Sequence, residues 1–133
     1  MPISTENAAD IVRLFRTGLG RRPEPAALAH FASLLEDGAA FHDVAHIIAG
    51  TPEFRQLHGD EDICDVRYIS FLYHNGLGRT PDPQGEAALM EAPNRGDGLV
   101  IVAGSEEARV RADLYAQLYP EGASPQDDMA YKA

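Results

Sequence analysis

The stretch Gly18-Leu19-Gly20-Arg21-Arg22-Pro23-Glu24-Pro25 is written a second time as Gly76-Leu77-Gly78-Arg79-Thr80-Pro81-Asp82-Pro83. A chain that repeats itself at this spacing builds two copies of one supersecondary unit, and that unit constrains every later assignment. The echo continues downstream, where Ala49-Gly50-Thr51-Pro52-Glu53-Phe54-Arg55 returns as Ala103-Gly104-Ser105-Glu106-Glu107-Ala108-Arg109. The first landmarks lie 58 positions apart and the second 54, so the second copy is four residues shorter between them. Repeat one spans about 8–58 and repeat two about 63–118. Each is near the lower size limit for independent folding, so the two are expected to share one core in a single domain over 1–119.

The apolar spacing predicts an all-α fold of about eight helices in two quasi-equivalent sets. Ile11, Leu14, Phe15 and Leu19 form one helical stripe, and Ile69, Leu72, Tyr73 and Leu77 repeat it. Ser4 or Thr5 caps the first helix, and Gly18 ends it. Pro25 and Pro83 suit the first position of the following helices, with Glu24 and Asp82 ahead of them. The second helix is expected to bury Leu28, Phe31, Leu34 and Leu35, and the third (about 40–49) Val44, Ile47 and Ile48. Thr51-Pro52 opens a short fourth helix. His58-Gly59-Asp60-Glu61-Asp62 is a solvated joint, with Asp62 capping a helix from Ile63. A sixth helix runs from Pro83 to about Glu91, and Asn94 to Gly98 is expected as a loop. Leu99 to Ala103 has strand composition, but its place in the repeat makes it helical. Ser105 caps a last helix with Val110, Leu114 and Leu118 inward. Gly, Ser, Pro, Gln and Asp dominate 120–133, a composition expected of a disordered tail.

A formal net charge of −10 argues against nucleic acid or an anionic bilayer as partner. With one cysteine, Cys64, no intrachain disulfide can form. The longest apolar run, Leu99 to Ala103, is far too short for membrane insertion. The N-terminal residues carry no signal-peptide pattern, so the default compartment is cytoplasmic, with export by a downstream signal left open.

The motifs G-L-G-R-x-P-[DE]-P and G-[TS]-x-E-x-R, each present twice, resemble domain-of-unknown-function family 4214, a bacterial helical repeat with a G-R-x-P-D-x-x-G core and a following S-P-E-F or S-x-E-F motif. The resemblance covers about 8–112. Gly78 to Gly85 matches the first motif in full, whereas repeat one has Glu24 for Asp and Ala27 for Gly. Thr51-Pro52-Glu53-Phe54 holds the second motif in repeat one. Phe31 and Leu89 stand where the family usually carries Trp. The pattern is also reminiscent of phycobilisome linker domains. Such domains occur in surface-layer and exported proteins and beside sugar-modifying enzymes, so the resemblance implies an accessory or interaction module with no assigned reaction.

Several constellations with chemical potential also have a plain structural reading. Phe41-His42-Asp43-Val44-Ala45-His46 resembles the H-D-x-x-H signature of HD phosphohydrolases, and His42 and His46 have a chelating i, i+4 spacing. The third helix of the repeat explains the same segment, with the histidines on its flank and His30 as the only upstream His. Metal is therefore not expected, and His42, Asp43 and His46 stand as the weak candidates. Gly18-Leu19-Gly20 lacks the preceding strand of a phosphate-binding turn. Arg21 and Arg79, beside Pro23 and Pro81, could bind a carboxylate or sugar, but Glu53 and Glu107 recur too. The expected pairs are Arg21 with Glu53 and Arg79 with Glu107, each pinning a connector to a later helix. Asp60, Glu61, Asp62 and Asp65 lack the spacing of a calcium loop. Tyr68, Tyr115 and Tyr119 are candidate stacking surfaces for a sugar, alongside Arg21 and Arg79. Cys64 has no neighbour that would activate it, and Ser70 with His74 has no orienting acid.

The structural motif is therefore Gly18, Gly20, Arg21, Pro23, Glu53, Gly76, Gly78, Arg79, Pro81, Asp82 and Glu107, with no catalytic set and no cofactor. The expectation is a non-enzymatic interaction or scaffold module for a protein partner or larger assembly. Recognition of a carbohydrate or nucleotide sugar is the alternative, and an HD-like hydrolase is a distant third.

Overall fold

The computed structural model describes the backbone of residues 4–118 and the side chains of residues 4–114. Eight helices follow in order: α1 (Thr5–Leu19), α2 (Pro25–Glu36), α3 (Phe41–Ala49), α4 (Pro52–His58), α5 (Val66–Leu77), α6 (Pro83–Met90), α7 (Arg95–Ala103) and α8 (Glu106–Leu118). Among the described residues there is no strand, and no helix is long and apolar enough to cross a membrane. Tyr119 and the tail 120–133 lie outside the described residues, as does the side chain of Tyr115.

Short polar side chains start the helices by accepting a hydrogen bond from an otherwise unpaired amide. Ser4 does this for α1, Thr51 for α4, Asp65 for α5, Asp82 for α6, Asn94 for α7 and Ser105 for α8. Pro25, Pro52 and Pro83 begin α2, α4 and α6, where a missing N–H costs nothing. α1 and α5 end alike, at Gly20 (φ 71°) and Gly78 (φ 70°) in the left-handed region that a Cβ disfavours.

α1 is the hub. It packs on its counterpart α5, and α3 packs on its counterpart α7. Ile11, Leu14, Phe15 and Leu19 are buried together with Ile69, Leu72 and Tyr73 in one continuous core, and the Phe15 and Phe31 rings pack edge to face with centroids 5.7 Å apart. Both copies therefore contribute to a single interior. Gly18 and Gly76 occupy the last turns of α1 and α5 and let neighbours close in. A Cβ at 18 would stand 3.2 Å from Leu99, and one at 76 would stand 3.0 Å from both Thr17 and Val102.

Several expectations are corrected. Gly20, not Gly18, terminates α1, because Gly18 is needed inside the helix for close approach of Leu99. α5 starts at Val66 with Asp65 as its cap, while the Asp62 carboxylate accepts from the backbone N–H of Arg95. The segment 94–98 is no loop, since Asn94 caps α7 and residues 95–98 form its first turn. Ile47, Val110 and Leu114 face outward, each about half exposed. α8 instead turns Ala108 inward, with the Arg111 guanidinium donating to the Asn75 carbonyl at 2.8 Å. In α2 the fully buried residue is Ala32, and Leu28, Phe31, Leu34 and Leu35 pack at the margin of the core.

Candidate functional site

The two connectors are held by matching forks. Arg21 donates from Nε and Nη2 to the two carboxylate oxygens of Glu53, both at 2.7 Å. Arg79 does the same to Glu107 at 2.7 and 2.9 Å. Each guanidinium also lies over the aromatic ring of the preceding helix, Arg21 at 5.3 Å from the Phe15 centroid and Arg79 at 5.1 Å from that of Tyr73. The pairing holds the Glu107 carboxyl below its usual range. Charge pairing, planar fork and ring contact thus recur in both copies, at positions that join a connector to the start of the fourth helix of its own repeat. Both arginine forks are taken up by carboxylates of the chain itself.

Tyr68 does not present a stacking face. It is 2% exposed, and its hydroxyl donates to the Arg95 carbonyl at 2.8 Å. Burial pushes that phenol well above its ordinary pKa. Cys64 is also buried, with its thiol raised to about 11 by burial.

Arg95, which no motif singled out, organises the joint between the repeats. Its guanidinium is almost wholly buried, and it donates to the Ile63 carbonyl at 2.7 Å and to the Gly59 carbonyl at 2.9 Å. The group lies 5.2 Å from the Tyr68 ring centroid. It helps to line a cleft of about 260 Å³, together with His46, Phe54, Arg55 and the acidic residues Asp60, Glu61 and Asp62.

At the rim of this cleft three side chains converge from two helices. His42 and His46, one turn apart on α3, both direct Nε2 at the same oxygen of Asp97 in the first turn of α7, at 3.0 and 2.7 Å. The imidazole centroids are 4.4 Å apart. His42 is exposed, while His46 and Asp97 are half-buried. The hydrogen bonds, that from His46 foremost, hold the Asp97 carboxyl below its ordinary range. Gly96 makes room for the arrangement, since a Cβ there would come within 2.6 Å of His46 Nδ1.

The H-D-x-x-H reading is therefore corrected in one member. Asp43 is occupied at the start of α3, where it accepts from the backbone N–H of Ala40 at 3.1 Å. Asp97, its counterpart at the 54-residue offset, meets the histidines instead. His30 lies on α2 with its ring against Phe31 and is not part of the cluster. The repeat offset was the one sequence signal that could have found Asp97. The loop-like composition of residues 94–98 obscures it.

Residues 45–109 match the family model described as a domain of unknown function (DUF4214), the family that the duplicated motifs resemble. The matched segment runs from within α3 to the first turn of α8 and contains His46, Arg95 and Asp97. No curated protein and no solved structure matches the chain.

Proposed function

We propose that the chain is a non-enzymatic helical module that docks a protein partner or a larger assembly. The observation in its favour is a set of apolar side chains that the shared core does not use. Val110 and Leu114, spaced i, i+4 on one face of α8, are 52% and 53% exposed. Ile47 and Ile101, at equivalent positions on the packed pair α3 and α7, are 47% and 53% exposed. Aliphatic side chains ordered along one helical face suit a partner's groove, and each fully covered one contributes about 1.5–3 kcal/mol. The motif residues that recur between copies hold connectors and helix ends, which fits a scaffold better than a reaction centre.

The double variant Val110→Asp/Leu114→Asp tests the docking face. Both positions are exposed, so its folding stability should stay within about 0.5 kcal/mol of the parent. Self-association by sedimentation and partner capture from cells of the source should both be compared with the parent chain. Selective loss of one association in the variant supports the reading. An association indifferent to the two substitutions, or none in either assay, rejects this face.

Carbohydrate recognition retains one supporting feature, the cleft lined by Arg55 and the carboxylates of residues 60–62, whose groups can pair with hydroxyls. Its expected aromatic platform is weakened by the inward Tyr68. A melting-temperature panel of sugars and nucleotide sugars tests it, and a stabilising sugar whose effect vanishes in Arg55→Ala would favour it over protein docking.

A further inference from the structure

We propose that His42, His46 and Asp97 bind one divalent transition-metal ion of the zinc class, and that the ion staples the first repeat to the second. The inference is independent of the partner-docking reading. It rests on convergence across the fold, since α3 and α7 belong to different copies and the ligands are separated by about fifty residues of chain. One ligand atom from each residue lies within 4.8 Å of the other two.

The spacing is that of a nearly assembled site. Zinc binds imidazole nitrogen at about 2.0–2.1 Å and carboxylate oxygen at about 2.0–2.2 Å. Neighbouring ligands around a tetrahedral ion are consequently about 3.3 Å apart, so the nitrogen-to-oxygen distances of 3.0 and 2.7 Å need to open by only a few tenths of an ångström. The His42 ring, the more exposed of the two, is the one that would turn to close the remaining gap between the nitrogens. Because His42 is exposed, the remaining coordination positions open to water.

The donor set selects the ion. Two imidazoles with one carboxylate suit zinc, nickel, cobalt or copper, whereas magnesium and calcium prefer oxygen throughout. The exchange balances in protons. A carboxylate only accepts hydrogen bonds, so each Nε2 that faces Asp97 carries a hydrogen. On binding, a neutral ring moves that proton to Nδ1 and offers the Nε2 lone pair to the ion, while a protonated ring, which already carries a hydrogen on Nδ1, releases its Nε2 proton to water. Asp43 stands ready on the other side of His42, with Oδ1 3.9 Å from Nδ1, where it can accept the relocated hydrogen and orient the ring. Gly96 leaves space for the His46 ring, and the acidic residues 60–62 beside the cleft draw cations towards its rim.

The test uses the full chain without a polyhistidine tag. Calorimetric titration with Zn²⁺ and Ni²⁺ should give one ion per chain, and Co²⁺ should develop the visible absorption of a nitrogen-bound ion. At a free ion concentration a hundred times the dissociation constant, the melting temperature should rise by about ten degrees. His46→Gln and Asp97→Asn should each weaken binding by roughly a hundredfold while melting as the parent does without metal. Gly96→Ala, which keeps all three ligands, should weaken it by displacing the His46 ring. Dissociation constants weaker than millimolar for all three ions would overturn the proposal, leaving a hydrogen-bonded cluster only. Undiminished binding in His46→Gln, or equal affinity for Ca²⁺, would place the ion on the acidic joint and overturn it as well. The Val110→Asp/Leu114→Asp protein should bind metal normally, so failure of the docking face and failure of this site are separate results.

Discussion

Tyr73 and Gly85 in the second copy stand where the first has Phe15 and Ala27. At the level of motifs, Ala27 is a departure from the family pattern. The structure supplies its reason, because the Tyr73 hydroxyl and the Asp82 carboxylate both crowd the space a Cβ at 85 would occupy, and the first copy has Phe15 and Glu24 at those places. The two substitutions therefore belong together. Gly85→Ala alone should destabilise the chain by about 1–2 kcal/mol through overpacking, partly offset by better helix propensity. Adding Tyr73→Phe should restore part of that loss, reproducing the pair found in the first copy, while the Asp82 carboxylate still crowds the new Cβ. Denaturant midpoints for the two single variants and the double variant measure the coupling, and strictly additive effects would refute it. The Arg–Glu forks were legible before the structure because both partners recur. Their overlap with the Phe15 and Tyr73 rings was not, since it depends on how each connector folds back over its own first helix.

Among the elements, α4 shows how a short helix secures a long one. Its last residue, His58, lies 2.8 Å through Nε2 from the Gly18 carbonyl, near the C-terminal end of α1. The ring also touches Phe54, Tyr68 and Phe71, with centroids at 4.5, 4.8 and 4.6 Å. Burial among these rings lowers the His58 pKa to about 4, below an ordinary value near 6.5. Between those two values the unfolded chain binds a proton that the folded chain does not. The stabilisation is thus complete above about pH 6.5 and falls as pH drops towards 4. Allowing for partial solvent screening, the loss should be about 1–2 kcal/mol. Urea unfolding at pH 7 and pH 4.5 should show this drop in the parent and a smaller one in His58→Gln. Equal drops would mean that other groups carry the acid sensitivity. Helix identities were readable from caps and prolines, but faces were less so. In α3 and α8 several apolar residues compete for one narrow contact. Packing against α7 and α5 left Ile47, Val110 and Leu114 outside.

For the molecule as a whole, stability rests on one interior fed by both copies. Leu72, fully buried between them, is a direct probe of that unity. Leu72→Asp should abolish the cooperative unfolding transition, because an unpaired buried charge costs several kcal/mol, comparable with the whole stability of a domain this size. A native-like melt for the variant would disprove a shared core. The sequence by itself determined the helical class, the positions of the connectors and the Arg–Glu pairs. Each of these is local, or is written twice, so that one copy checks the other. Only the tertiary structure decided which flanks of α3 and α8 face solvent, how Arg95 gathers the joint, and that Asp97 rather than Asp43 meets His42 and His46. Those outcomes follow from the packing of α3 on α7 and α5 on α8. Helical periodicity limits such contacts but does not specify which residues of two distant helices will meet.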